Sequence, residues 1–439
     1  MAKRIITALD VGSSKVCTII AAVSEGNEKP QVIGVYSHPS AGVKKGVIVN
    51  IDEATNAIAE SLAAAERMAG ITVSSVYASI GGKHITSINS RGVVAVSQEE
   101  ISEDDTFRAI ENARTISIPP SREILHIIPR EFLVDSEGGI KDPIGMSGSR
   151  LEVDTHIISA TTTALQNLVK CIQNCGLAVD DIVFNGWASS QSVLTDTEKE
   201  LGVTLLDIGG GTTSISIFQE GAITYSGCVP LGGLNVTSDL AIGLQISLED
   251  AEKIKVNFQK LLQSSESREK HEDLDKPALE RRKEENKEEE KPDNKDEMNI
   301  ASLGIKDQET LSKTTYKQIV EARLEEIFEM ISNQVSQAGF DVSMPAGVVV
   351  TGGSADLYEL TKVAQKSFGV PSRVGNPTGL AGMVEEISSP AYASAQGLIR
   401  HAMVEDVDIM QGGGGGKEGG FPGSGLLNNI VNWVKSLLP

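Results

Sequence analysis

The chain has 439 residues, 40% of them hydrophobic and 23% charged, enough for two or more domains with sizeable cores. Its formal net charge of −21 would repel a phosphate backbone and argues against wrapping nucleic acid. No run of eighteen apolar residues is present to span a bilayer, and the apolar segment after Lys3 and Arg4 is too short for a signal-peptide core.

Residues 4–22 predict two strands around a tight turn, and the alternation over 32–49 extends that sheet. An Asp start and an Ala-rich face with Ile58, Leu62 and Ala65 predict a helix over 52–69, and the β-branched run 73–80 reads as a central strand. A different unit begins near Gly82. It reads as a strand over 85–96, a capping box at 102–105 opening a helix to Arg114, and strands over 123–132 and 151–159 around a turn-rich stretch, 138–149. A helix over 165–175 follows. Cys171 and Cys175 are one helical turn apart there, but no second Cys or His pair completes a zinc site. With Cys17 and Cys228 they read as buried free thiols of a reducing cytosol.

From Leu201 the opening pattern returns. Leu9-Asp10-Val11-Gly12-Ser13-Ser14 is echoed by Leu206-Asp207-Ile208-Gly209-Gly210-Gly211-Thr212-Thr213, each between two β-branched strands. A repeat on this scale predicts two similar halves. In 264–298, 23 of 35 residues are charged, which reads as a disordered insertion, or alternatively as a charged helix through 276–291. Residues 311–335 predict an amphipathic helix, and 347–354 a strand ending in a Gly turn. A Gly-rich linker then precedes the last fourteen residues.

The three Gly turns carry the chemistry. In the first, Gly12 lets the backbone come close, Ser13 and Ser14 can donate to phosphate oxygens, and Lys15 adds a charge. Gly209, Gly210, Gly211 and Thr212 offer the same from the second half. Two such turns facing each other would clamp a polyphosphate. Asp10 and Asp207 could then hold the hydration shell of a Mg²⁺. The third turn, with Gly352 and Gly353, would admit a nucleoside across its backbone.

This set resembles the phosphate and adenosine motifs of the actin/Hsp70/sugar-kinase superfamily. More narrowly, the chain resembles the FtsA family of bacterial actin-like division proteins, on four features that cover nearly all of it. They are the β-α-β-β insert, Asn185-Gly-Trp-Ala-Ser-Ser-Gln-Ser-Val-Leu194, the stretch from Val229 to Asp239 with Asp250-Ala-Glu-Lys-Ile-Lys255, and the tethered terminal helix. The resemblance implies an α/β fold of two duplicated RNase H-like halves around a nucleotide cleft. The first core is 1–82 with 161–199, interrupted by the insert 83–160. The second is 200–230 with 300–403, carrying a small subdomain 231–299, a linker 404–425 and a membrane-targeting helix 426–439.

ATP and Mg²⁺ are the implied cofactors, with Gly232, Gly233, Glu252 and Lys255 beside ribose and adenine. Gly232-Gly233 alone could be a simple turn, and Glu252 with Lys255 an exposed helical pair. Gln191 stands where actin supplies a water-orienting glutamine, with Asp207 the other candidate, so hydrolysis is expected to be slow at most. The implied partners are further copies of the chain in filaments, later division proteins at the insert, and the FtsZ C-terminal peptide near Arg323 and Lys317. The implied site of action is the cytoplasmic face of the membrane at the septum.

On a helical wheel Leu426, Leu427, Ile430, Val431, Trp433, Val434, Leu437 and Leu438 fall within an arc of roughly 160°. Behind a Gly-rich leash this reads as an interfacial helix. With Lys435 as its only cation it would bind weakly alone, and tightly when a polymer presents many copies. Competing readings are a pilus-assembly ATPase of the PilM type, which shares body and insert, and a superfamily kinase, for which no second substrate pocket is nominated.

Overall fold

The computed structural model describes residues 4–24, 29–275, 296–305 and 309–411. Its first sheet runs, from one edge, Gln31–Pro39, Lys15–Val23, Arg4–Val11, Ser75–Ile80 and Ala178–Phe184. The first three are antiparallel, and the last two continue parallel from Arg4–Val11. The two-residue strand Ala381–Gly382 adds outside Gln31–Pro39. The second sheet repeats order and sense with Ala222–Val229, Thr213–Gln219, Val203–Ile208, Val348–Thr351 and Ser372–Val374. The duplicated turns are thus the visible part of duplicated sheets. Both central strands are covered on both faces, which is why they read as apolar runs rather than as alternation.

Helices Ile51–Ala69 and Thr162–Asn174 cover one face of the first sheet through Ile58, Leu62, Leu165 and Leu168. The other face packs on Leu398 and Ile399 of the helix Ala393–Gln411. Helix Ile51–Ala69 is capped by Asn50, whose side chain accepts from the N–H groups of Asp52 and Glu53, so it starts one residue ahead of the expected Asp. Between residues 80 and 162 the chain builds its own antiparallel sheet, in the order Thr86–Ala95, Arg150–Thr161, Arg122–Val134 and Glu137–Ile140. The last strand occupies part of the stretch expected to be turn. Helix Glu103–Arg114 packs on that sheet around Ile110, Phe132, Leu151 and Val153, opened by the predicted capping box of Ser102 and Asp105.

The acidic segment departs from expectation at both ends. Helix Leu248–Asp275 continues through 264–275, where Glu, Lys and Arg are good helix formers and little else competes. At the far end Met298 lies in strand Glu297–Asn299 opposite Leu311 of Thr310–Ser312, and each is 1% exposed. Met298, Ile300 and Leu311 join the second half's core, and Asp296 accepts from Ser312 and Thr314 across the pair of strands. Residues 276–295, including the alternative helix, lie outside the described residues. Helix Ala393–Gln411 likewise runs past 404, the expected start of the linker, because the glycines begin only at Gly412. The rest of the linker and the terminal helix with its eight apolar residues lie outside the described residues.

The connection between halves is helical. Asn185–Val193 leads from the first sheet toward the second and crosses Ala393–Gln411, with Ser192 Oγ donating to the Ala393 carbonyl over 2.7 Å. At the crossing a Cβ on Gly397 would sit 1.8 Å from the carbonyl oxygen of Ala188. Two helix backbones meet there with no side chain between them. Gly397→Ala is therefore expected to lower stability by about 1–3 kcal/mol through overpacking, measured as a shift of the urea midpoint.

Candidate nucleotide cleft

The two Asp-bearing turns close in the same way. Gly12 N–H donates to the Lys15 carbonyl at 3.0 Å and Gly209 N–H to the Thr212 carbonyl at 2.9 Å. The turns face each other. A Cβ on Gly210 would lie 2.8 Å from that of Ser14, and one on Gly211 2.9 Å from that of Ser13. Only glycine permits this approach. Ser13 Oγ also accepts from the Gly46 N–H, tying the first turn to the small hairpin behind it.

Asp10 and Asp207 are each 8% exposed. Burial raises the Asp10 carboxyl, against a hydrogen bond from Ser79 Oγ at 2.6 Å and the charge of Lys15. Asp207 is pushed up to about 6 by burial, then by the neighbouring charge of Asp10, while the Ser189 hydroxyl favours its ionised form. Two desolvated carboxylates, both raised by burial and one raised further by the charge of the other, are a donor set suited to a divalent cation. Lys15 stands 3.9 Å over the ring of Tyr392, within electrostatic reach of both.

The remaining expected residues gather around the second turn. Gly233 N–H donates to Gly209 O and Leu234 N–H to Gly210 O, while Ser354 Oγ donates to Gly209 O. Gly352 has φ of 90° and its Cα faces Asp207 Oδ1 and the Ile208 carbonyl, too close for a side chain. Lys255 is not an exposed helical partner. Its side chain is 8% exposed and its Nζ reaches Glu252 Oε2 at 2.7 Å, Thr237 Oγ1 at 2.8 Å and the Gly233 carbonyl at 3.1 Å. Glu252 and Lys255 thereby brace the Gly232-Gly233 turn. Gly353 is open, with Ala391 Cβ at 4.0 Å the nearest neighbour of an added Cβ.

Gln191 is placed differently. Its amide donates to Ser190 Oγ at 3.4 Å, and the residue that touches Asp207 is Ser189, two positions earlier. Ser79, Ser189 and Tyr392 were absent from the sequence reading. Ser189 lay within the stretch around Gln191, but nothing in the sequence ranks one polar residue of a short helix above another. Arg323 makes a two-pronged ion pair with Asp239 and also reaches Glu326, and Lys317 lies 4.9 Å over the ring of Tyr358, both outside the cleft.

Two sheets of equal order and sense, joined by crossed helices around a carboxylate-lined cleft, define an actin-like protein. Residues 82–159 match the family model described as an SHS2 domain inserted in FtsA, and 204–397 match that of cell division protein FtsA. The chain is 33% identical to cell division protein FtsA of Pseudomonas aeruginosa, over 98% of both chains. It is 34% identical to that of Neisseria meningitidis over 99% of both, and 31% identical to that of Escherichia coli K12 over 91% of this chain and 90% of the other. The chain belongs to the FtsA family of cell division proteins. Among solved structures, the PilM-PilN type IV pilus biogenesis complex aligns with TM-score 0.58 at 15% identity, covering 90% of this chain and 97% of that one. The ethanolamine utilization protein EutJ of Carboxydothermus hydrogenoformans aligns at 0.50 and 14%, covering 91% and 90%. At these identities the likeness speaks to the fold alone.

A carboxyl raised in the folded state favours the fold when protonated, and that contribution is lost as pH rises from its ordinary 3.8 through about 6. Asp207→Asn is accordingly expected to raise the melting temperature of the nucleotide-free protein at pH 7.5. It should also flatten its decline between about pH 4 and 6, measured by calorimetry without divalent metal.

Proposed function

We propose that the chain binds ATP between its two halves and acts as a polymerising tether that holds FtsZ filaments to the cytoplasmic membrane at the septum. The observation that carries the nucleotide part is the pair of Gly turns meeting face to face, each beside a buried carboxylate. Their backbone N–H groups with Ser13, Ser14 and Thr212 would meet phosphate oxygens, and Lys15 would supply charge. The bracing of Gly232-Gly233 by Lys255 fits a wall for ribose and adenine, opposite Gly352 and Gly353. Asp10 and Asp207 would hold Mg²⁺, which supplies neutralisation of phosphate charge. Gln191 makes only a 3.4 Å contact to Ser190, and we expect binding to outweigh hydrolysis, so Gln191→Ala should leave steady-state ATP turnover within about twofold of the parent. A drop of tenfold or more, about 1.4 kcal/mol, would restore Gln191 as the water-orienting group.

The tether part rests on family membership and on the apolar arc of residues 426–439. No helix among the described residues is long and apolar enough to cross a membrane; the apolar arc behind a Gly-rich leash favours a surface-bound helix as the form of attachment. The exposed face of helix Lys313–Gln337, with Arg323 and Lys317, is the proposed seat of the FtsZ peptide, and the insert that of later division proteins. Sedimentation with anionic liposomes and Mg-ATP tests the reading. The full chain should pellet, and a chain ending at Gln411 should stay in solution. FtsZ should pellet with the former and be lost on Arg323→Glu. Equal pelleting of both chains would sink the tether.

A further inference from the structure

The insert touches the second half through a contact that the nucleotide reading leaves unused. Strand Ala222–Val229 is an edge of the second sheet, and strand Thr86–Ala95 an edge of the insert's sheet. They lie side by side, yet no backbone ladder joins them. The outward backbone groups of Ser226 are instead taken by one side chain. Ser87 Oγ donates to the Ser226 carbonyl at 2.7 Å and accepts from the Ser226 N–H at 3.0 Å. Two residues along on each strand, Asn89 Nδ2 donates to the Thr224 carbonyl at 3.1 Å.

His156 closes this pattern into a ring. It is 0% exposed, and burial with the nearby Arg130 charge lowers it to about 3, so it is neutral. Asn89 Oδ1 can only accept, so the His156 Nδ1–H donates to it over 2.7 Å. His156 Nε2 then accepts from Ser226 Oγ at 2.9 Å. A directed chain runs from Ser226 through His156 and Asn89 to Thr224. It satisfies an edge that has no backbone partner without fusing the two sheets, which a ladder would do.

Each side of the ring leads to one carboxylate turn. Strand Ala222–Val229 passes directly into Gly232-Gly233, whose following N–H groups are held by Gly209 and Gly210, and Thr213 Oγ1 donates to the Leu231 carbonyl. On the other side, Thr86–Ala95 follows Gly81-Gly82, which lies against Lys45 and Gly46, and Gly46 is held by Ser13. The two turns are in van der Waals contact, so a triphosphate between them must part them. Parting them pulls the two edge strands in opposite directions.

We propose that this ring is a nucleotide-sensitive latch: loading the cleft releases the insert from strand Ala222–Val229 and frees the edge Thr86–Ala95. The proposal rests on the nucleotide reading above. Side-chain bonds suit such a latch because a few can break together, at modest cost, where a backbone ladder would hold.

The test is amide hydrogen exchange of the full chain with and without the Mg²⁺ complex of a non-hydrolysable ATP analogue, alongside calorimetric titration of the same analogue. Loading should speed exchange over 222–229 by about fivefold or more, while helix Glu103–Arg114 stays protected. Because coupling is reciprocal, Ser87→Ala with Asn89→Ala should bind the analogue about fivefold more tightly than the parent. Ser87→Ala alone, which leaves His156 paired, serves if the double variant loses protection in the insert's helix. Analogue binding with unchanged exchange, or equal affinity in parent and variant, overturns the latch and leaves the nucleotide reading intact. Failure of both chains to bind the analogue overturns the two together.

Discussion

Asp10 and Asp207 come from opposite halves of the chain and share one desolvated cleft, and the rest of the architecture is arranged around holding them there. Burial raises both, and the charge of Asp10 raises Asp207 further, so the folded protein carries an electrostatic strain that a cation between the halves would relieve. Ser79 and Ser189 donate to one carboxylate each and fix their directions. The two carboxylates sit between the two sheets, one near the end of strand Arg4–Val11 and the other near the end of Val203–Ile208.

At the seam between the halves, backbone comes close to the other half at two places. The facing turns meet at Gly210 and Gly211, and the hinge helices meet at Gly397. Packed side chains resist small displacements because every rotamer must readjust, whereas backbone surfaces bared by glycine can slide or separate with little rearrangement. Each half has a core, although Val203, Leu205, Phe218 and Val349 of the second sheet belong to the same buried cluster as the first half's side chains. The second is built around Phe258, Tyr316, Ile327 and Phe328, and the first around Leu9, Ile20, Ile58 and Ile172.

The insert complicates that two-body picture. It belongs by chain order to the first half, where His126 of strand Arg122–Val134 accepts from the Phe184 N–H at 3.0 Å, but it also leans on the edge of the second sheet. A subdomain bonded to both halves cannot ignore their relative motion. Its own core around Ile110 and Phe132 keeps it intact whichever contact gives way.

Much of this was legible in the sequence because it is local. The strands, the capping box at Ser102, the two Asp-bearing turns and the acidic run follow from hydrophobic period, cap chemistry and charge density within a few residues of each other. The echo of Leu9–Ser14 in Leu206–Thr213 was enough to predict two halves. What the sequence left open required distant residues to meet. Lys255 reads as a surface lysine until the fold sets it beside the Gly233 carbonyl, and Ser189 is one polar residue of a short helix until the fold sets it against Asp207. The start of strand Glu297–Asn299 was hidden for the same reason, since Met298 is one apolar residue in a charged run and finds Leu311 only in three dimensions. Local pattern specifies elements and turns. Which polar groups lose their water, and therefore which carboxyl is raised and which histidine is kept neutral, is decided only when tertiary packing closes around them.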